Sequence, residues 1–473
     1  MAMFTARQPS LLLCMAPSWG VEMPPISVAT LVSALRSQGV LVDGRDLNIE
    51  CYHKLPQKAD FFWDKSNLHY WVNPKLFAEN LFDRLDSIFD DLADELAYSK
   101  WDVIGFTVIS SNVIFINHLV HRIKLREPDK TIIVGGPCLS FKEERERLRD
   151  DIDYFVAGEG EDSLAEFMQY IAGKRLDLPE SIYPSRNCNQ DLPFRECRDL
   201  TKFGIPDYSI FPLHRYTLDA LPLIFTRSCL FKCRFCADHK SMGKFRKISE
   251  EQMYAMFNEF YSLGYKKFWL NDLLINGIMK ELVTVFRRLQ SENKYFEWIA
   301  LATPNRQLQP EDLGLLQECG LQTLNLGIES GSDTVMKLMR KGFNREQAEL
   351  GLERIFKSGI NTQLNIIVGF PGETDELFEE TLEFLEKNKH HICGFTSVNS
   401  CVLLPGSEVA SNPEKYGIEF DDGSDRQTEW QIPGENTKEI RNQRLKRVLE
   451  WIDSNGYNMY SSNEASTTYS KSA

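Results

Sequence analysis

The chain lacks any uninterrupted apolar run approaching the roughly 18 residues that a membrane helix needs. Its early apolar run, Leu11 to Pro17, is too short and too poorly flanked for a signal peptide and reads as a buried strand. A soluble, cytoplasmic protein with no transmembrane segment is expected. Positive charge is also in deficit: 54 Lys and Arg stand against 68 Asp and Glu, a formal charge of -14. That field repels polyanions, so no nucleic-acid partner is expected and a small-molecule or peptide substrate is favoured. A cysteine framework of the kind that staples small secreted folds is missing too, because eleven cysteines are spread over 473 residues. Three of them fall between positions 229 and 236, which points to reduced thiols serving a metal.

Short β-rich runs at Ser10–Met15, Val40–Asp46, Val103–Ile109, Thr131–Gly135 and Tyr154–Ala157 alternate with helical segments. This predicts a doubly wound, Rossmann-like parallel sheet over 1–175. The helix near Pro24 places Ile26, Ala29, Thr30 and Ser33 at helical spacing and ends at Gly39. Between Cys51 and Ala78 lies an aromatic-rich insertion with Phe61, Phe62, Trp63, Tyr70 and Trp71, read as a packing elaboration. The proline-rich stretch 176–221 reads as a linker.

A second β/α series occupies 222–408, with strands expected at Leu223–Thr226, Lys267–Leu270, Trp298–Ala302, Thr323–Gly327, Gln363–Val368 and Thr396–Leu403. Six such units predict a partial (βα)6 barrel, whose chemistry gathers at the carboxyl ends of its strands. A helical region is expected over 409–460, after an acidic stretch with Asp421, Asp422 and Asp425. Leu445, Val448, Leu449 and Ile452 form its apolar stripe. The Ser- and Thr-rich tail 461–473 is expected to be disordered.

Cys229-x-x-x-Cys233-x-x-Cys236 offers three soft thiolates from one loop, right after the first strand of the second series. Such ligands suit an iron-sulfur cluster or zinc. Zinc would need a fourth ligand, for which His239 is the candidate, although zinc sites more often pair two ligand couples across a longer loop. Three ligands for four irons leave one iron open. The other eight cysteines read as small buried hydrophobes; of these Cys401, expected at a strand end facing the presumed site, is the one to watch.

With Phe235 and the Lys-Phe-Arg246-Lys that follows, this loop resembles the cluster loop of the radical S-adenosylmethionine superfamily. From Leu11 to Ser407 the chain resembles the branch carrying an amino-terminal cobalamin-binding domain. Gly327-Ile-Glu329-Ser330-Gly331, continuing to Arg340-Lys-Gly342, is similar to the family's fourth-strand segment, whose Glu and Ser reach the cofactor. Gly369-Phe-Pro-Gly372-Glu373 resembles its fifth-strand adenine motif, Pro405-Gly406-Ser407 the sixth-strand end, and Asn271-Asp272 the polar pair after strand two. Thr303 and Asn305 depart from the family, where relatives often carry a basic residue. In the first domain, Ser110-Ser111, Gly135-Gly136-Pro137, Gly158-Glu159-Gly160 and Asp46-Leu47-Asn48 resemble the cobalamin-domain pattern. An Asp-x-His-x-x-Gly segment, which would ligate cobalt from below, is missing.

The resemblance implies a 4Fe-4S cluster on Cys229, Cys233 and Cys236. It also implies S-adenosylmethionine oriented by Phe235, Asp272, Glu329, Ser330 and Gly369. Cobalamin would be cradled by Ser110, Ser111, Gly135, Gly136, Gly158 and Glu159. The implied activity is reductive cleavage of S-adenosylmethionine, then methyl transfer to an unactivated carbon, with flavodoxin or ferredoxin as reductant. No general base stands out. The alternatives are oxidative cyclisation or rearrangement without methyl transfer, a transfer-RNA methylthiotransferase, and a non-catalytic cobalamin- or metal-binding module. The methylthiotransferase would be expected to carry an extra amino-terminal cysteine set and a basic tail.

Overall fold

Leu11–Met15 is buried on both faces, as expected of a strand inside a parallel sheet covered by helices. The computed structural model describes residues 7–55, 59–185, 192–197, 199–202, 204–305, 307–421 and 426–457. Cys188, Asp422, Asp425 and the tail 461–473 lie outside the described residues. The chain divides into two units, one of 1–219 with 241–243, the other of 220–240 with 244–473. Among the described residues no helix is long and apolar enough to cross a membrane.

The first unit holds β1 (Ser10–Met15), β2 (Leu41–Asp46), β3 (Val103–Thr107), β4 (Thr131–Gly135), β5 (Tyr154–Val156) and β6 (Ile182–Pro184). Their order is β2-β1-β3-β4-β5-β6; all pair in parallel except β6, which runs antiparallel to β5. Strand order reverses at β1, so ligand-binding loops belong at the carboxyl ends of β1 and β3. Edge strand β6 corrects the reading of 176–221 as loop alone, since three residues among prolines carry no periodic signal. The helix Ile26–Ser37 buries Val28, Val32, Ala34 and Leu35 with Ile26 and Ala29, whereas Thr30 and Ser33 stay half-exposed, being polar. In the aromatic insertion Phe62, Trp71 and Phe77 join the core, and of its Phe, Trp and Tyr side chains only Phe61 is well exposed. Trp71 donates to the Phe62 carbonyl (2.7 Å) and meets Trp63 edge-on at 4.8 Å. Both contacts are those of a packing element.

The second unit holds β7 (Leu221–Leu223), β8 (Thr226–Arg227), β9 (Arg246–Lys247), β10 (Lys267–Leu270), β11 (Glu297–Ala302), β12 (Leu321–Glu329), β13 (Asn361–Val368), β14 (Gly394–Ser400), β15 (Glu419–Phe420) and β16 (Trp430–Gln431). The main sheet runs β14-β13-β12-β11-β10-β7, all parallel, with neighbours in chain order. That is the winding of a partial barrel rather than a doubly wound sheet. Phe268 and Trp298 pack on Phe257 and Phe286 of the helices Glu250–Ser262 and Met279–Ser291, which fixes the helix-covered face. By alternation, Asn325, Gln363 and Asn365 line the opposite, inner face.

Two expectations are corrected here. The first strand ends at Leu223, not Thr226, because the Phe225 and Thr226 N–H groups leave the ladder for the Asp272 carboxylate. The helix Lys438–Ser454 buries Arg441, Arg444, Val448 and Ile452 while Leu449 is exposed. Arg441 lies over the Trp430 ring at 3.7 Å and donates to the carbonyls of Thr428, Trp430 and Asn436; Arg444 pairs with Glu373 and Asp375. These bonds and stacking let two arginines occupy the inner stripe.

Candidate functional site

The loop from Cys229 to Cys236 begins at Ser228, whose φ of 68° turns the chain sharply out of β8. Its root is fixed by Asp272. That buried carboxylate accepts from Phe225 N (3.0 Å), Thr226 N (2.6 Å) and Thr226 Oγ1 (2.6 Å), and burial pushes its pKa up to about 6. Asp272 thus spends its oxygens on the loop's base.

The far side of the loop is stitched to residues 338–342. Arg234 N donates to Met339 O (2.9 Å), Arg234 Nη1 to Leu338 O (3.0 Å), and Glu408 bridges Arg234 (3.4 Å) and Arg340 (3.0 Å). Gly342 sits so close to Phe231 that a Cβ there would lie 2.1 Å from the ring. Phe235 is half-buried, and Lys341 Nζ stands 5.6 Å from its ring centre. Lys341 pairs in turn with Glu329 Oε1 at 3.4 Å. Burial raises the Glu329 carboxyl and Lys341 opposes that rise.

The three cysteines are half-buried and free of disulfides. Burial pushes each thiol up; Cys233 also feels Cys229, and Cys236 feels Asp238 and Cys233, so the group shares one electrostatic environment. Among the described residues no three His, Cys, Asp or Glu side chains converge on one ion position. In an iron-sulfur cluster three thiolates go to separate irons. Free, soft thiols on one anchored loop fit the cluster's chemistry. Metal uptake would release their protons.

Ser330 and Gly369 are tied to other elements of the second unit. The Ser330 hydroxyl is fully buried against Thr381 Oγ1 (3.0 Å) in the helix Asp375–Asn388 and accepts from Ser332 N (3.2 Å). Gly369, with φ 75°, has its carbonyl held by Asn436 Nδ2 (2.9 Å) and its N–H by Glu373 Oε2 (2.5 Å). Thr303 is clamped by Asn276, which accepts from its N–H and donates to its carbonyl, both at 2.9 Å.

In the first unit the cobalamin-type residues lie at the carboxyl ends of β3, β4 and β5. Ser111 Oγ donates to Ser18 O (2.8 Å), and the Ser110 carbonyl accepts from Arg147 (3.3 Å). A Cβ on Gly136 would fall 2.1 Å from Val108 O, and Gly135 beside it is half-exposed. Gly158 and Glu159 are clasped by the chain 195–197: Glu159 N donates to Arg195 O (2.9 Å) and Cys197 N to Glu159 Oε2 (2.5 Å). Small half-exposed residues at the ends of β3 and β4 fit the close approach of a large flat ligand; Gly158 and Glu159 serve the clasp.

The structure therefore gathers the cysteine loop, Phe235 and Glu329 around Lys341, which sequence reasoning did not single out. Its signal was a lysine between Arg340 and Gly342, within a motif already noted.

Comparison with known proteins agrees with this division. The model described as Radical SAM superfamily matches residues 223–385, and that of the B12 binding domain matches residues 14–168. An uncharacterized methyltransferase of Pyrococcus horikoshii is 26% identical over 311 residues, spanning 64% of this chain and 68% of that protein. Among solved structures, the radical S-adenosylmethionine methyltransferase TsrM from Kitasatospora setae, with cobalamin and a 4Fe-4S cluster bound, superimposes with a TM-score of 0.65. The match has 16% identity over 88% of this chain and 81% of that one. TsrM has also been solved with tryptophan substrate and a SAM analog. The cobalamin-dependent enzyme OxsB, with aqua-cobalamin and S-adenosylmethionine, gives a TM-score of 0.70 and 18% identity over 95% of this chain and 67% of that one. At such identities the two structures speak for the fold.

Proposed function

Because the chain belongs to the radical SAM superfamily and carries an amino-terminal B12-binding domain, we propose that it is a cobalamin-dependent methyltransferase acting on an unactivated carbon of a polar small molecule. The observation that carries this reading is a free three-thiol loop, anchored from both sides, in a chain that also matches the B12 domain. When bound, the cluster and S-adenosylmethionine would supply one-electron cleavage of a carbon–sulfur bond, and cobalamin a methyl group.

The chain's own residues have narrower tasks. Cys229, Cys233 and Cys236 hold the metal, while Asp272 and residues 338–342 keep their loop in register. Phe235 and Glu329 border the volume beside the loop, and Gly369 keeps backbone rather than side chain at the end of β13. Ser110, Gly135 and Gly136 keep small, half-exposed residues at the ends of β3 and β4 for the corrin, and the buried Ser111 ties that end to the Ser18 carbonyl. The electron is expected from a small carrier such as flavodoxin or ferredoxin.

A polar substrate is supported by the inner face of the barrel. Asn325 and Asn365 are diagonal neighbours there, and among the described residues no donor reaches either buried side-chain oxygen. Such oxygens suit a ligand bearing N–H or O–H groups better than a hydrocarbon.

The test is anaerobic purification from cobalamin-supplied cells, cluster reconstitution, and incubation with S-adenosylmethionine and dithionite. Corrin absorbance with both 5'-deoxyadenosine and S-adenosylhomocysteine among the products supports the proposal. 5'-Deoxyadenosine without corrin would point to oxidation or cyclisation instead. No cleavage, with zinc in place of iron, would overturn it.

A further inference from the structure

Lys341 is an unusual place for a charge. Its side chain is 8% exposed and that of its partner Glu329 10%, and lysines that deep are rare without a reason. Among the described residues its ammonium has one hydrogen-bond acceptor, Glu329 Oε1, at a long 3.4 Å. A buried ion pair of this quality is weak support for a fold, since apolar replacements of such pairs are often neutral or stabilising. Room has nevertheless been kept for it: a Cβ on Gly327 would fall 2.7 Å from Glu329 Oε1 and 3.6 Å from Lys341 Nζ. The ammonium also stands 5.6 Å from the ring of Phe235, the residue just before Cys236, and 5.4 Å from that of Phe343. Its backbone neighbours, Met339 and Gly342, touch the same loop at Arg234 and Phe231.

We propose that Lys341 is a positioning residue that sets the reduction potential of the cluster on Cys229, Cys233 and Cys236, with Glu329 trimming its effect. The assignment rests on the reading of those cysteines as cluster ligands. One electron from an external low-potential reductant adds to the cluster, which thereby gains one negative charge; no bond is made or broken in that step. A fixed cation in a poorly solvated place favours the added charge, and a fixed anion opposes it. Net charge near the sulfurs is among the levers that set such potentials.

The experiment is a potentiometric titration of the reconstituted full-length protein. It is followed by electron paramagnetic resonance, with dithionite as reductant and no S-adenosylmethionine, on wild type, K341M, K341R and E329Q. Iron content is measured on each sample. The expected result is a midpoint shifted to more negative potential in K341M, to more positive potential in E329Q, and close to wild type in K341R. Should K341M fail to fold, the opposite-sign shift in E329Q with an unmoved K341R still decides. Full iron loading with wild-type midpoints in K341M and E329Q, or shifts of the same sign in both, would overturn the assignment. A wild-type protein that assembles no cluster would instead overturn the proposed function beneath it.

Discussion

Replacing Gly369 by alanine strains the second unit twice over. The residue has φ 75°, where an L side chain costs about 1–2 kcal/mol. The new Cβ would also lie 2.3 Å from Arg441 Cγ and 2.7 Å from Arg441 Cδ. Arg441 has little freedom to yield, being stacked on Trp430 and bonded to three carbonyls, so an overpacking cost of about 1–3 kcal/mol is added. G369A should therefore lose about 2–5 kcal/mol in urea denaturation of the metal-free protein. The two causes separate in a double-mutant cycle. In an R441A background the collision with Cγ and Cδ is gone, and G369A should cost only the backbone share of about 1–2 kcal/mol. An equal cost in both backgrounds, or one below about 1 kcal/mol in wild type, would refute the reasoning.

Asp272→Ala leaves two backbone N–H groups and the Thr226 hydroxyl without their acceptor. It should cost about 2–5 kcal/mol, at about 1–3 kcal/mol per orphaned group with partial relaxation, and lower the iron-to-protein ratio after reconstitution; wild-type values of both would contradict the loop-anchor role. Glu373, buried and pushed up to about 7, holds its proton to higher pH when folded than when unfolded. The folded state is therefore favoured below about 4.5, and that advantage, about 3 kcal/mol, fades as pH rises through about 7. E373Q should flatten stability over this window; an unchanged pH slope would count against it.

Much of the fold was legible because regular elements announce themselves. Lys267–Leu270 and Thr131–Gly135 coincide with their predicted strands, where β-branched and aromatic residues alternate with turns. What escaped was set by long-range partners. Thr226 reads as the end of the first strand of the main sheet until Asp272, 46 positions away, takes its N–H. Arg441 and Arg444 lie outside the apolar stripe expected on this helix, and their burial comes from contacts with Trp430, Glu373 and Asp375. At the site, the cysteine spacing was plain, but the surroundings were not. Lys341 looks like an ordinary surface lysine after a helix, and only the left-handed turn at Arg340 aims this stretch at the cysteine loop. Conversely, Gly158 and Ser330 carried motif signals, yet their contacts are with Arg195 and Thr381.

A cluster held by three cysteines would leave one iron for S-adenosylmethionine. The most direct measurement is the electron paramagnetic resonance spectrum of the reduced, reconstituted protein before and after S-adenosylmethionine is added. A 4Fe-4S signal that changes shape with the addition, and that is lost in C233A, is the predicted result. A spectrum unmoved by S-adenosylmethionine, or a C233A variant retaining the full signal, would contradict it.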